Sequence, residues 1–440
     1  MKTKIFLITA LSAFFSAQLS ASPGNASSLE ELLNYAMENN IAILQAKEAI
    51  EEQEGVIIEI TSNVLPNANL TGRYSKTDEE LIAGEIIPDS GATEDWGVSL
   101  EVSQLVYSGG GIRAAIKAQK YARESALQNM RATIEQAVFA VRSSFYDALL
   151  AKEQIEVQKQ NVKFLEEQYQ IVKDRYEAET VSKFDLLQSE VELANAQPAL
   201  IRARNNYRTA IDVLFQVIGY QSSSEYAYDG SEIHGELFFE AIHYSLDRAL
   251  SSAMEQRPEL LQLDALIKAR EAGVDVAKSG SLPTISVFGA WDFEQSPISD
   301  RFTDALDGWR VGIRSSWALF DGRRTKGQII QARSQLRQTE LTRRDLELQI
   351  EVQVRRAISG LQEADELAAA AEKVVEQAEE ALRLAEVRYE AGTATQLELL
   401  QSQVSVTDAR TNLLSANYSY LVAAAAFQQA IGNSSADANL

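Results

Sequence analysis

Two stretches of this chain end in nearly the same words. Arg175–Gln188 reads RYEAETVSKFDLLQ and Arg388–Gln401 reads RYEAGTATQLELLQ, 213 residues further on. Each closes a heptad-patterned run of about 65 residues and precedes a return segment that ends in an Ile-Gly pair. A straight helix of that length reaches ~100 Å at 1.5 Å per residue, far beyond a compact domain. The fold must therefore accommodate two rods. A repeat at fixed offset also outweighs the two or three domains that 440 residues alone would suggest.

In the first rod Ile134, Val138, Val141, Phe145, Ala148, Ile155, Val162, Leu165, Tyr169, Val172 and Tyr176 fall on alternating three- and four-residue steps or on their seven-residue sum. That is a 3.5-residue seam, so the helix packs lengthwise as a coiled coil. In the second rod Ala368, Ala378 and Ala385 stand where the first has Ile155, Leu165 and Val172. Smaller seam residues allow closer approach, which predicts that the second half forms an inner, tighter wall. Pro198 falls inside the first return helix and is expected to kink or break it.

Between a short helical region and each rod the hydrophobic period switches to two. Leu65-Pro66 and Leu282-Pro283 end the helical pattern, because the residue before proline is pushed out of helical space. Alternating runs follow at about 67–76 and 95–107, then at about 284–293 and 308–320. Each has the length of a tilted membrane strand. Trp96 and Trp309 begin matching strands and suit an aromatic girdle at the membrane interface, while Arg73, Glu101, Arg310 and Arg314 fall on the polar face and would line a lumen. Four strands cannot close a barrel, and an open edge cannot persist in lipid. Two chains would supply eight strands and three would supply twelve.

Residues 1–22 read as a secretory signal, with Lys2 and Lys4 before the apolar Ile5–Phe15 and small residues around Ser20–Ser22. The first repeat then occupies 23–240, with its tip at 176–182 and return helix at 183–219. The second occupies 241–440, with its tip at 389–395 and return helix at 396–432. With zero cysteines there is no disulfide, thiolate metal site or thiol for lipid attachment. A net charge of −22 speaks against nucleic acid as a partner. His234 and His243, the only histidines, make a poor metal site; Gly109-Gly110-Gly111 lacks the lysine of a phosphate-binding loop. No enzymatic activity, metal or cofactor is expected.

The ordered set of motifs resembles the outer membrane efflux proteins of the TolC type over about Leu29 to Gly432. Its carriers are Arg257-Pro258-Glu259-Leu260, the leucine-proline before each first strand, the Phe320-Asp321-Gly322 turn, and the Arg-Tyr-Glu-Ala-Gly-Thr tip followed by Leu-Glu-Leu-Leu-Gln. The resemblance implies an α+β membrane protein, a homotrimer with a twelve-stranded β-barrel in outer-membrane lipid, continued by a periplasmic α-helical barrel. The implied function is a passive exit duct of a tripartite efflux or type I secretion system. Its partners would be a periplasmic adaptor (membrane fusion protein) and an inner-membrane pump of the RND or ABC type.

By the same resemblance, Glu398 matches the first position of a gating carboxylate ring, and Gln401 stands at the second, leaving one acidic ring. Asp185 matches a tip-locking carboxylate and Tyr389 its tyrosine partner, while Ala394 replaces the usual arginine. Adaptor docking falls on Ala178, Glu179, Thr180 and Val181, and on Ala391, Gly392, Thr393 and Ala394. Glu179 in place of a glycine predicts a less compact first tip. The competing reading is an exported periplasmic or surface coiled-coil structural or adaptor protein, whose alternating runs would pack as a soluble sheet.

Overall fold

The computed structural model describes residues 26–78, 94–220, 232–242, 244–296 and 302–433. The expected leader at 1–22, most of the acidic stretch 77–95 between the first two alternating runs, part of the connector around 220–240 that joins the two repeats, and His243 lie outside these residues. A short strand, β1 (Ala26–Ser27), leads into α1 (Leu29–Asn39), where Ser28 and Glu31 cap each other's backbone. Asn40 then starts α2 (Ile41–Ser62) by accepting from the amides of Ala42 and Ile43. The chain continues through β2 (Asn67–Lys76), β3 (Glu94–Ser108), α3 (Gly111–Glu177) and α4 (Lys183–Ile218).

After β4 (Glu232–Ile233), which pairs in parallel with β1, the order repeats. It runs through α5 (Leu246–Gln256), α6 (Pro258–Ser279), β5 (Thr284–Glu294), β6 (Leu306–Ser316), α7 (Arg324–Glu390) and α8 (Gln396–Ala430). Both rods, α3 and α7, are 67 residues long. Each begins from a left-handed residue, Gly110 or Arg323. The side chain just upstream holds the turn in both: Ser108 accepts from the Ile112 amide and Asp321 from the Thr325 amide. Pro198 is carried inside α4 without breaking it. It lies on the exposed side, where the Ala194 carbonyl that it leaves without a donor can bond water.

The helices form a row. α3 packs against α4, α2, α6 and α8, and α7 packs against α8, α6 and α5, so α4 and α7 are the row's edges. The thickest core sits at mid-length, where the short helices and the connector wrap the rods. Leu32, Phe145, Leu214 and Ile218 pack there with Ile233 and Leu237 of the connector. The second half mirrors this with Ala253, Leu260, Ile350 and Phe427. The expected seam is buried at Val138, Val141, Phe145, Ala148, Val162, Leu165 and Val172, and in α7 at Ala368 and Ala385.

The strands form one antiparallel sheet in the order β2-β3-β5-β6, so the two hairpins join through β3 and β5. A bulge between Leu105 and Tyr107 interrupts that central pairing. β2 and β6 are left as edges.

Candidate functional site: a two-faced sheet and a pair of helical tips

Register aligns most of the apolar residues of the four strands on one face. Leu70 lies opposite Leu100, Leu100 opposite Trp291, and Trp291 opposite Trp309; Val287 lies opposite Ile313. This face is bare in the protomer: Trp309 is 80% and Ile313 74% exposed. A contiguous apolar face of this kind marks a surface that meets a membrane or a partner rather than water. Trp96 lies opposite Tyr74 in the first hairpin, as Trp309 lies opposite Trp291 in the second. Trp96 also stacks on Phe302 with centroids 4.9 Å apart. Tyr74 and Trp291 were missed as girdle candidates. Their signal was available in the duplicated Leu-Pro landmarks, since Tyr74 lies nine residues past Leu65 and Trp291 nine past Leu282.

The opposite face is polar and laced with ion pairs. Arg73 on β2 reaches Asp95 on β3 at 2.9 Å and Glu294 on β5 at 3.6 Å. Arg310 on β6 reaches Asp292 on β5 at 2.8 Å and Glu101 on β3 at 3.9 Å. Ser99 donates to Asp292 at 2.5 Å. Arg314 meets no carboxylate among the described residues and lies over the Phe288 ring, 4.9 Å from its centroid. The two faces make a sharp prediction for substitution. Ile313→Arg should cost ~2–4 kcal/mol per copy in a lipid-facing strand and deplete assembled protein in the membrane fraction, whereas Ser286→Arg on the polar face should assemble normally. Equal membrane yields from the two variants would contradict this assignment of faces.

At the far end of the rods the two tips share one backbone turn. In the second, the amides of Gly392 and Thr393 donate to the carbonyls of Tyr389 and Arg388, with Gly392 at φ 71°. In the first, the amides of Glu179 and Thr180 donate to Tyr176 and Arg175, with Glu179 at φ 58°. Thr180 and Thr393 both return their hydroxyls to those arginine carbonyls. The expected looser first tip is therefore not found. Two backbone bonds and the threonine clamp hold Glu179 left-handed despite a steric cost of about 1 kcal/mol.

The side chains at the tips combine in a way that differs from the expected lock. Asp185 forms a capping box with Ser182, accepting from its amide at 3.0 Å and its hydroxyl at 2.7 Å. Tyr389 instead meets Arg175, whose guanidinium lies 5.0 Å from the ring centroid. Glu398 is held from two sides: its amide donates to the Thr395 hydroxyl, and its carboxylate pairs with Arg388 at 3.3 Å. Arg388 also donates to the Thr393 carbonyl. Gln401 shares an open groove of about 630 Å³ with Arg388, Leu397, Glu398 and Ser402. Ala394 carries no charge, and the arginines at the tips come from the helix ends. The sequence reading marks Arg175 and Arg388 as the starts of the two tip stretches but gives neither side chain a role. The one available signal was that Arg-Tyr-Glu occurs in both tips.

A second charged group lies at mid-length. Arg257 donates twice to Glu259, at 3.1 and 2.7 Å, and once to Gln353 on α7 at 2.7 Å. Burial pushes the Glu259 carboxyl up, but the hydrogen bond and charge of Arg257 outweigh it and hold it below its ordinary value. Beside it Glu135 on α3 is only 6% exposed. Burial, with repulsion from Glu259, pushes its carboxyl up to about 7 against the pull of Arg257 and Arg131.

A sheet with a lipid-compatible face and a charged face, carried on paired ~100 Å rods, defines an outer-membrane channel protein rather than an enzyme. The sequence profile of the outer membrane efflux protein family matches residues 32–220 and 249–433, and the chain belongs to that family. It is similar to the outer membrane protein TolC of Vibrio cholerae, with 21% identity over 415 residues, 92% of this chain and 91% of that one. It is also similar to the pyoverdine export outer membrane protein OpmQ of Pseudomonas aeruginosa, with 22% identity over 419 residues, 92% of this chain and 85% of that one. Among solved structures, the Campylobacter jejuni CmeC outer membrane channel superposes with a TM-score of 0.77 at 17% identity, covering 92% of this chain and 86% of that one. Membership places the chain in the outer membrane and sets aside the coiled-coil structural protein.

Proposed function

We propose that three copies of this chain form a passive exit duct, each donating four strands to a twelve-stranded barrel and its helices to a periplasmic tunnel. The observation that carries this reading is the sheet, which pairs an exposed apolar face with a charged one and leaves β2 and β6 open. Closure of those edges between copies would satisfy their backbone groups in lipid. The row of helices ends in a matching way. Phe184, Val191 and Ile201 on α4, and Leu341, Leu348 and Leu367 on α7, are exposed on the two edges, where a neighbouring copy would cover them.

In this assembly residues 23–240 and 241–440 are two copies of one duplicated unit, with the alanine-seamed α7 and α8 as the inner wall. Trp96 and Trp309, with Tyr74 and Trp291, form the girdle; Arg73, Glu101, Arg310 and Arg314 line the lumen. The tip segments 178–181 and 391–394 dock a periplasmic adaptor that links the duct to an inner-membrane pump, of the proton-driven RND or the ATP-driven ABC type. Glu398, Gln401, Asp185 and Tyr389 surround the periplasmic aperture. Glu398 enters this ring as an ion pair with Arg388, so the ring's net charge is lower than three bare carboxylates would give.

An in-cell crosslink tests the assignment, with a photoreactive residue in place of Thr180 or Thr393. Capture of an adaptor together with a proton-driven pump places the chain in small-molecule or metal efflux, and capture with an ATP-driven exporter places it in protein secretion. If no adaptor is captured and the protein is extracted without detergent, the duct reading fails.

A further inference from the structure

The polar face of the sheet carries one large aromatic residue that the duct reading does not use. On β5 the side chains alternate, and Phe288 falls in the row of Ser286, Ala290 and Asp292 rather than with Val287 and Trp291. It lies opposite Gly312 on β6, and its ring crosses that glycine so closely that a β-carbon there would stand 2.9 Å from Cζ. Gly312 is thus the vacancy that lets the ring lie against the wall, and the ring covers the backbone that the glycine leaves open. Two residues on, Arg314 holds its guanidinium 4.9 Å from the ring centroid.

The other arginines of this face are engaged. Arg73 is paired with Asp95 and Glu294, and Arg310 with Asp292 and Glu101. Among the described residues no carboxylate stands within ion-pair distance of Arg314, so its positive charge is not neutralised by the wall. An aromatic surface and a planar cation without a carboxylate partner therefore sit side by side on this face, with Leu105 in the cross-strand row of Ser286 and Arg314. The combination has a definite chemistry. A flat ring gains by lying against Phe288, and an attached carboxylate or sulfonate gains by meeting Arg314 in its fork of donors.

We infer that Phe288 and Arg314 form a binding step on the lumen wall for planar aromatic anions, repeated three times in the assembled duct. This rests on the proposed lumen-facing orientation of the polar face. A solute of this class would be retarded by both groups together, whereas an aliphatic anion of equal charge would feel Arg314 alone.

The test is current through the purified full-length protein in a planar bilayer, with benzenesulfonate as the probe and cyclohexanesulfonate as the saturated control. The wild type should be blocked by benzenesulfonate at about fivefold lower concentration than by cyclohexanesulfonate, the size expected of one ring contact. Phe288→Leu keeps Gly312 covered and should bring the two probes to the same concentration. Arg314→Gln should weaken block by both. Conducting wild-type protein that does not distinguish the probes, or a Phe288→Leu variant that still does, overturns the binding step and leaves the duct intact. A protein that inserts but carries no current overturns the duct and the binding step with it.

Discussion

Replacing Arg388 with glutamine is expected to turn the periplasmic aperture into a markedly more cation-selective and divalent-sensitive one. The reason is the pairing at the tip, where Arg388 sits 3.3 Å from the Glu398 carboxylate and also ties down the Thr393 carbonyl. Both side chains are about half exposed, so the pair adds little to stability. Its larger effect is on the field. In the proposed trimer, three carboxylates around the aperture, each freed of its guanidinium, would repel one another and recruit counter-ions. Single-channel recordings should show the cation-to-anion permeability ratio rising ~3-fold or more, with block by millimolar divalent cations. Glu398→Gln alone should shift the ratio the other way. The double variant separates charge from shape: if it keeps the high cation selectivity, the effect came from a loosened tip and the electrostatic account is wrong.

The second large effect is expected at Glu135, remote from both the membrane and the tips. Burial holds its carboxyl up at about 7 in the folded protein, well above the ordinary range of a glutamate. A carboxyl raised in this way contributes stability that is complete below pH ~4.5 and is lost as the pH climbs through 7, because the folded state then holds an ion it solvates poorly. The shift corresponds to at most about 3 kcal/mol between acid and alkaline solution. Glu135→Gln removes the titration. Denaturant unfolding in detergent should show the variant gaining on the wild type as the pH is raised from 5 to 9. Wild-type and variant curves that run parallel over this range would show that Glu135 does not titrate as described. Glu259 and Arg257 are poor substitutes for this experiment, since breaking their buried pair leaves an unpaired charge and lowers stability at every pH.

Much of this fold is legible along the chain because it is written in periods. The 3.5-residue seam through Val138, Val141, Phe145 and Ala148 specifies a long helix that packs lengthwise, and those residues are buried. Alternation through Trp96, Val98, Leu100 and Val102 specifies a strand with one apolar face, and register extends that face across all four strands. Local signals fail where a competing local bond is stronger. Glu179 adopts the left-handed turn that Gly392 adopts, since two backbone bonds and a threonine hydroxyl outweigh its steric cost. Pro198 does not end α4, because the helix is held by packing on α3 and the freed carbonyl faces water.

Spacing along the chain specifies the two rods, the duplicated plan, the two faces of the strands and the position of the tips. All of these follow from spacing within one element, and spacing is conserved when the element folds. Which charges meet is set by how the folded elements sit against one another. Arg388 reaches Glu398 across a turn, Arg175 reaches Tyr389 from the other repeat, and Glu135 is buried beside Glu259 from a different helix. Phe288 covers Gly312 only because the β5–β6 register sets them opposite. Such contacts depend on the relative placement of separate elements, which no period within one element encodes.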